Sequence, residues 1–357
     1  MSQPRASGYF RTTYERDIAL LDTRTQKASL AALALAMLAL PLLELPVLLD
    51  LANQVLLAII GATALMLLTG FAGQVSLGHA GLLAAGAFTT GILFKEFSAP
   101  FWVTLPASAL MGGAIGVIFG LPSLRLRGLY LAVSTLALHF IVIYLGNEYE
   151  SRRGFSTGVV IDPPQLGDWV LSDARAWYVV LTVCAASTVL FALNLLRSNT
   201  GRAWQAIHGR ETVAEALGIN VPAYKVLSFV INSVLTSMAG CLFAYFRGFV
   251  SAEAFSLFLT IQYVAMIIIG GMGSILGAVL GAVFVTLFPY LIEAIMNVLP
   301  VPASWSNSLF AVNYAAFGLV MILFLVFEPH GLVGIWRRIQ NYFLLWPFKQ
   351  RPLTGTQ

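Results

Sequence analysis

AWYVVLTVCAASTVLFALNLL, residues 176–196, carries no charged side chain from end to end. As a helix rising 1.5 Å per residue it is about 30 Å long, which matches the hydrocarbon core of a bilayer. Similar runs occupy 28–49, 101–121 and 309–327. Over the whole chain of 357 residues, 59% are hydrophobic and only 10% are charged, whereas a soluble domain has roughly a quarter of its residues charged. A water-soluble fold of this length would lack the charge to cover its surface. Inside a bilayer every backbone polar group must find a partner within the protein, so continuously apolar runs are helices. The alternating pattern of a transmembrane barrel does not occur. The expected fold class is all-α: a polytopic helical membrane protein with discontinuous helices.

Working outward from that run, about ten spans are expected: 28–48, 51–69, 75–94, 101–121, 127–146, 176–196, 225–247, 259–270, 274–297 and 309–327. With the N-terminus inside, most of the 20 Lys and Arg fall on the cytoplasmic side. They are Arg5, Arg11, Arg16, Arg24 and Lys27 before the first span, Arg125 and Arg127, then Arg197, Arg202, Arg210 and Lys225, and finally Arg337, Arg338, Lys349 and Arg351. The outer segments are acidic, with Asp50, Glu96, Glu148, Glu150, Asp162, Asp168, Asp173 and Glu253. The asymmetry places both termini in the cytoplasm. It also accounts for the net charge of +4 without nucleic acid as a partner. The polar stretch 1–27 reads as a cytoplasmic segment rather than a secretory signal, 28–335 as the transmembrane domain, and 336–357 as a cytoplasmic tail. Cys184 and Cys241 lie within apolar runs and read as small packing residues, with no zinc-type spacing.

Two glycine-rich stretches interrupt the apolar pattern: Gly70-Phe-Ala-Gly-Gln-Val-Ser-Leu-Gly-His-Ala-Gly81 and Gly270-Gly-Met-Gly-Ser-Ile-Leu-Gly277. Irregular backbone at membrane depth is tolerated only where protein or a water-filled cavity surrounds it, and in transporters it often lies near the translocation path. Gly73, Gln74, Ser76, Gly78 and His79 in the first stretch, and Gly270, Gly271, Gly273 and Ser274 in the second, are therefore candidates for a pathway or gate. The competing reading is helix packing, which the four-residue spacing of Gly273, Gly277 and Gly281 favours for the second stretch. His139 reads as a hydrogen-bonded interhelical residue. No chain of ionisable residues runs through the span centres, as a proton-coupled transporter needs, so energy is expected to enter elsewhere.

Residues 197–224 form a long cytoplasmic loop. Ser198 or Asn199 can cap a short helix, and a second helical stretch at 211–217 carries Glu211 and Glu215 four apart. Gly218 is a natural residue after a helix end, and Pro222 follows. The apolar residues Val213, Ala214, Ala216 and Leu217 are too few to span a membrane; they pack either on the protein itself or on a partner.

This loop resembles the coupling loop of ABC-transporter permeases, whose E-A-A…G pattern docks into a cleft on the ATPase. Here Ala214-Glu-Ala-Leu-Gly-Ile-Asn220 stands in its place, in the form seen in permeases of the branched-chain amino-acid importers. Gly73-Gln-Val-Ser-Leu-Gly-His-Ala80, Arg127-Gly-Leu-Tyr-Leu-Ala-Val-Ser-Thr-Leu136, Gly270–Ala282 and Pro329-His-Gly-Leu-Val-Gly334 resemble the same family in order along the chain, and the R-G-x-Y segment favours its LivM type. The stretch Arg152–Gly158 departs from the family's usual glycine-rich pattern, and the family also takes up urea, short amides and aromatic compounds.

The resemblance implies an inner-membrane permease, embedded in lipid. It would pair with a second permease (LivH type), two ATPase subunits and a periplasmic solute-binding protein. It assigns Arg202, Arg210, Glu211, Glu215, Ala216 and Gly218 to ATPase coupling. It implies no enzyme activity and no cofactor in this chain, with ATP and Mg bound by the partner ATPase. A stand-alone secondary transporter or channel, or a membrane-embedded enzyme, are the other classes considered. They call for midspan ionisable residues or a metal cluster.

Overall fold

The computed structural model describes residues 45–298 and 309–345 almost continuously, apart from 127, 156–157, 167–168, 172 and 329, together with scattered positions between 28 and 43. The expected N-terminal segment 1–27, most of the first expected span and the tail beyond 345 lie outside the described residues.

The chain is a helical bundle. Among the described residues from 45 on, its α-helices are α1 (Pro46–Leu65), α2 (His79–Phe97), α3 (Phe101–Gly120), α4 (Leu129–Arg153), α5 (Ala174–Arg197), α6 (Asn199–Gly209), α7 (Glu211–Ala216), α8 (Val221–Arg247), α9 (Leu257–Gly270), α10 (Ile275–Val298), α11 (Leu309–Phe327) and α12 (Gly331–Leu345). α1 continues into a π-turn at Met66–Phe71. Six of these helices, α1, α3, α4, α5, α8 and most of α10, are long and apolar enough to cross a membrane; α9 and part of α11 form shorter apolar helices. Long side chains such as Leu110, Ile118, Phe140, Tyr144 and Val183 stand exposed along α3, α4 and α5. In a bilayer such faces meet lipid tails at no cost.

Some boundaries differ from expectation. α1 starts at Pro46, so Asp50 lies in its second turn instead of in a loop; proline's fixed φ and missing N–H suit the first turn. α4 runs on to Arg153, where an Arg152–Glu148 ion pair of 2.6 Å joins successive turns. The long loop after α4 holds short strands that the all-helical expectation lacked. β1 (Val159–Val160) pairs antiparallel with β4 (Phe249–Val250), and β2 (Gln165–Leu166) with β3 (Trp169–Val170). The Glu150 carboxylate accepts from the Ala252 N–H at 3.1 Å, and Arg153 pairs with Glu96 at 2.6 Å. These contacts close one end of the bundle, called here the strand end.

α8 is the central post. Small residues let its neighbours approach to backbone contact: Gly86 of α2 lies against the Ser237 carbonyl, Gly240 against the Leu83 carbonyl, and Gly112 of α3 against the Ser233 carbonyl. Buried hydroxyls join the same three helices. Thr90 and Ser108 share a 3.0 Å hydrogen bond, Thr104 and Tyr245 one of 2.9 Å, and Ser237 donates to the Leu82 carbonyl.

The expected span at 75–94 is a helix only from His79; residues 72–78 form an irregular, non-helical segment. Gln74 N–H bonds back to the Leu68 carbonyl and the Thr69 hydroxyl donates to the Gln74 carbonyl, so the chain doubles back alongside the end of α1. It climbs far enough for the His79 ring to meet Tyr263 at 4.6 Å. Tyr263 in turn packs on Gly61, about 15 Å along α1 from Phe71. α2 therefore begins deep inside the bundle. Side chains supply what the helix does not: Leu77 N–H donates to the Thr135 hydroxyl at 2.9 Å, Gly78 N–H to Ser76 at 3.3 Å and Ala80 N–H to Thr260 at 3.0 Å. Thr135→Val should leave the Leu77 N–H unpaired at constant shape and destabilise the fold by about 1–3 kcal/mol. A thermal melt in detergent indistinguishable from wild type would contradict this.

Candidate functional site

Ser198 caps α6 by accepting from the Thr200 N–H at 3.2 Å, and Asn220 caps α8 by accepting from Ala223 N–H at 3.2 Å. α7 ends where Gly218 takes φ +82°, a conformation that a β-carbon disfavours. There the Ile219 N–H reaches the Ala214 carbonyl at 3.1 Å and the Gly218 N–H the Glu215 carbonyl at 2.9 Å. These two bonds and the Ala214–Ile219 apolar contact make a Schellman stop.

The loop is a rigid unit. Trp204 is fully buried and its indole N–H donates to the Tyr224 carbonyl at 2.9 Å. Ile207, Ala214 and Val221 form a small core of their own. Lys225, whose side chain is only 6% exposed, pairs with Glu211 at 2.5 Å. Sequence reasoning passed over Trp204 and Lys225, although the spacing of Ala203, Trp204 and Ile207 marks one buried helical face.

Of the residues expected to meet an ATPase, Arg202, Arg210, Glu215, Ala216 and Gly218 are exposed. Arg202 is hydrogen-bonded to Asn199 beside it. Glu211 instead turns inward to Lys225 and braces the loop. Val213 and Leu217 project from α7 into solvent, Leu217 at 75% exposure. Glu211→Gln should strand the Lys225 ammonium in a buried place. Since Glu211 itself is partly solvated, we expect a loss of about 2–3 kcal/mol, below the full range for a buried pair. Lys225→Met should be milder. Melting temperatures ranked the other way would contradict the bracing role.

The loop touches the first break directly, because the His208 ring of α6 lies against Gly73. The two breaks also meet each other, Gly70 against the Gly273 backbone, and Gly271 packs on the His330 carbonyl ahead of α12. Both glycine stretches, α6 and the start of α12 thus share the end opposite the strands. The residues of the breaks divide by role. The Gln74 amide donates to Ser228 at 2.9 Å and to the Lys225 carbonyl at 3.4 Å, and Ser76 caps Gly78, so these two hold the backbone. Gly270, Gly277 and Gly281 bring α9 and α10 to backbone contact, as the packing reading expects; Ser274 caps α10, accepting from Gly277 N–H at 3.4 Å. His79 is different. It is completely buried, and neither ring nitrogen has a hydrogen-bond partner, a condition that calls for an explanation in a native interior. His139 Nδ1 is likewise without a partner, so the hydrogen bond expected from sequence is not made at that atom.

Residues 47–325 match the family model described as branched-chain amino acid transport system / permease component. The chain is 30% identical over 339 residues to the high-affinity branched-chain amino acid transport system permease protein LivM of Escherichia coli, covering 88% of this chain and 76% of that protein. The LivM of Salmonella typhimurium is 30% identical over 312 residues, covering 81% and 70%. More distant is the autoinducer 2 import system permease protein LsrC of Yersinia enterocolitica, 26% identical over 304 residues, covering 81% and 76%. No solved structure matches significantly. By the extent of the family match and by its likeness to LivM over most of both chains, this multi-pass membrane protein belongs to the permease component family of branched-chain amino acid transport systems.

Proposed function

We propose that this chain is the transmembrane permease subunit of an ATP-driven, binding-protein-dependent importer, with a branched-chain or other hydrophobic amino acid as solute. In this reading the α6–α7 end faces the cytoplasm with both termini, and the strand end faces the periplasm. A second permease completes the membrane unit, two ATPases supply the power, and a periplasmic protein delivers the solute. The observation that carries the reading is the braced loop, which offers exposed Val213 and Leu217 on one side and touches the broken helix on the other.

Coupling then follows from rigidity. When ATP draws the ATPases together, a partner seated on α7 moves the whole α6–α7 unit, since Trp204 and the Lys225–Glu211 pair fix it to α8. The His208–Gly73 contact carries the same displacement to residues 72–78. An element with two discrete positions, biased by nucleotide at one site and solute at another, is what allosteric coupling requires.

The test is uptake of labelled L-leucine into liposomes holding the assembled transporter, with ATP available to the ATPases. Glu215→Arg reverses an exposed charge on α7. Hydrolysis should continue while uptake falls at least tenfold, corresponding to about 1.4 kcal/mol of coupling. Wild-type uptake by that variant would remove α7 from the coupling route.

A further inference from the structure

A cavity of about 270 Å³ opens at the strand end between α1, α8, α9 and α10. At about 30 Å³ per water it has room for roughly nine waters, the scale of one small solute. Its walls are apolar, from Phe243, Phe246, Leu259 and Val285, and its floor is Tyr263 and Met266. The rim is polar. The Tyr290 hydroxyl donates to the Gln54 amide oxygen at 3.2 Å, and the Gln54 amide nitrogen donates to Asp50 at 2.7 Å.

Arg247, the last residue of α8, completes the rim. Its guanidinium lies 5.8 Å from the Phe243 ring centre and 6.0 Å from that of Phe246. None of the ion pairs among the described residues includes it. It is also a cation at the end where acidic residues predominate, so topology does not explain it. An arginine within cation–π range of two aromatic rings and outside those ion pairs offers a fork of N–H donors that matches a carboxylate. Apolar walls beside one such cation, with the exposed Asp50 carboxylate joined to the rim through Gln54, are complementary to a molecule with a carboxylate, an ammonium and an aliphatic body.

We propose that this cavity, built within a single permease chain, is a binding subsite for the imported solute, an apolar α-amino acid. Its carboxylate sits on Arg247, its ammonium turns toward Asp50, and its side chain lies on Phe243, Phe246 and Leu259. The position suits transport. Directly behind the floor, the Tyr263 ring touches the unpartnered His79 at the head of α2, so a solute here rests against the broken helix that the cytoplasmic loop contacts at its other end. The proposal rests on the importer reading for its solute, but it locates that solute inside this chain and not at the junction with a second permease.

The experiment uses the full chain with its co-purifying partners in lipid nanodiscs. Cys184 and Cys241 are changed to Ala, and Leu259→Cys or, separately, Gln262→Cys supplies the only thiol of this chain, whose labelling is read on its own band. The rate of labelling by a small polar methanethiosulfonate is measured with L-leucine, leucinamide, phenylacetate or urea. L-leucine at ten times its Kd should slow labelling about tenfold, whereas leucinamide, which lacks the carboxylate, should not. Arg247→Gln should abolish protection and Arg247→Lys should keep part of it. Three results would overturn the proposal: no labelling of either thiol, leucine protection that survives Arg247→Gln, or protection by urea or leucinamide equal to that by leucine. The same complexes, moved into liposomes, are assayed for ATP-driven leucine uptake. Uptake without protection removes the cavity and leaves the importer, whereas loss of uptake for every amino acid tested removes the importer reading itself.

Discussion

Leu217→Asp in the full-length permease should abolish stable association with the ATPase and take uptake with it. Leu217 is 75% exposed on the last turn before Gly218, so the free permease gains nothing from it and its own stability should change by no more than about 0.5 kcal/mol. On the proposed function it is the largest exposed apolar group at the end of α7 and the expected centre of the contact. Placing a carboxylate at the desolvated centre of an interface costs about 2–4 kcal/mol, or roughly a 30- to 1,000-fold loss of affinity. Val213→Asp, less exposed and one turn earlier, should act in the same direction with a smaller effect. Unaltered ATPase binding in a folded Leu217→Asp variant would show that the projecting face of α7 is not the contact. A variant that no longer folded would show that Leu217 supports the bundle, contrary to its exposure.

Gly281→Leu should be the most damaging single change to the fold. A β-carbon at Gly281 meets the Met266 carbonyl, and one at Gly270 meets the Gly277 carbonyl. Both obstacles are backbone, so no rotamer change relieves them. The α9–α10 pair would have to part along its whole seam, taking Gly271 off the His330 carbonyl and Gly70 off Gly273. Overpacking in a close-packed core costs about 1–3 kcal/mol, and more where the backbone itself must move. Monodisperse protein after detergent extraction should fall to a small fraction of wild type. Gly113→Leu is the matched control, since the position faces only the end of the Val234 side chain, and its yield should stay near normal. Equal yields from the two variants would contradict the account of the seam.

Much of this was legible in the chain itself. Runs such as 176–196 could only be spans, and the end of α7 follows from Gly218 because few other residues hold φ +82°. The loop at 197–224 was readable for the same reason: short helices are written in caps and stops, which are local. What was missed depends on contacts remote in sequence. Nothing near Lys225 indicates that it turns back to Glu211. Nothing in Gly73-Gln-Val-Ser-Leu-Gly78 says that the stretch stays non-helical up to His79, because its support comes from Thr135 and Thr260 on other helices. The cavity at Arg247 was equally hidden. Arg247 is one of the few cations outside the cytoplasmic set, and it gains meaning only where α1, α9 and α10 close around it.

The most direct test of the central claim is to extract the native chain from its membrane in mild detergent, purify it through a tag, and identify by mass spectrometry what accompanies it. The account predicts an ATPase subunit with a P-loop and a second permease in stoichiometric amounts, both retained by wild type and the ATPase lost with Leu217→Asp. If the chain purifies alone and still moves leucine across liposomes without ATP, the coupling account is contradicted and the permease works without a partner.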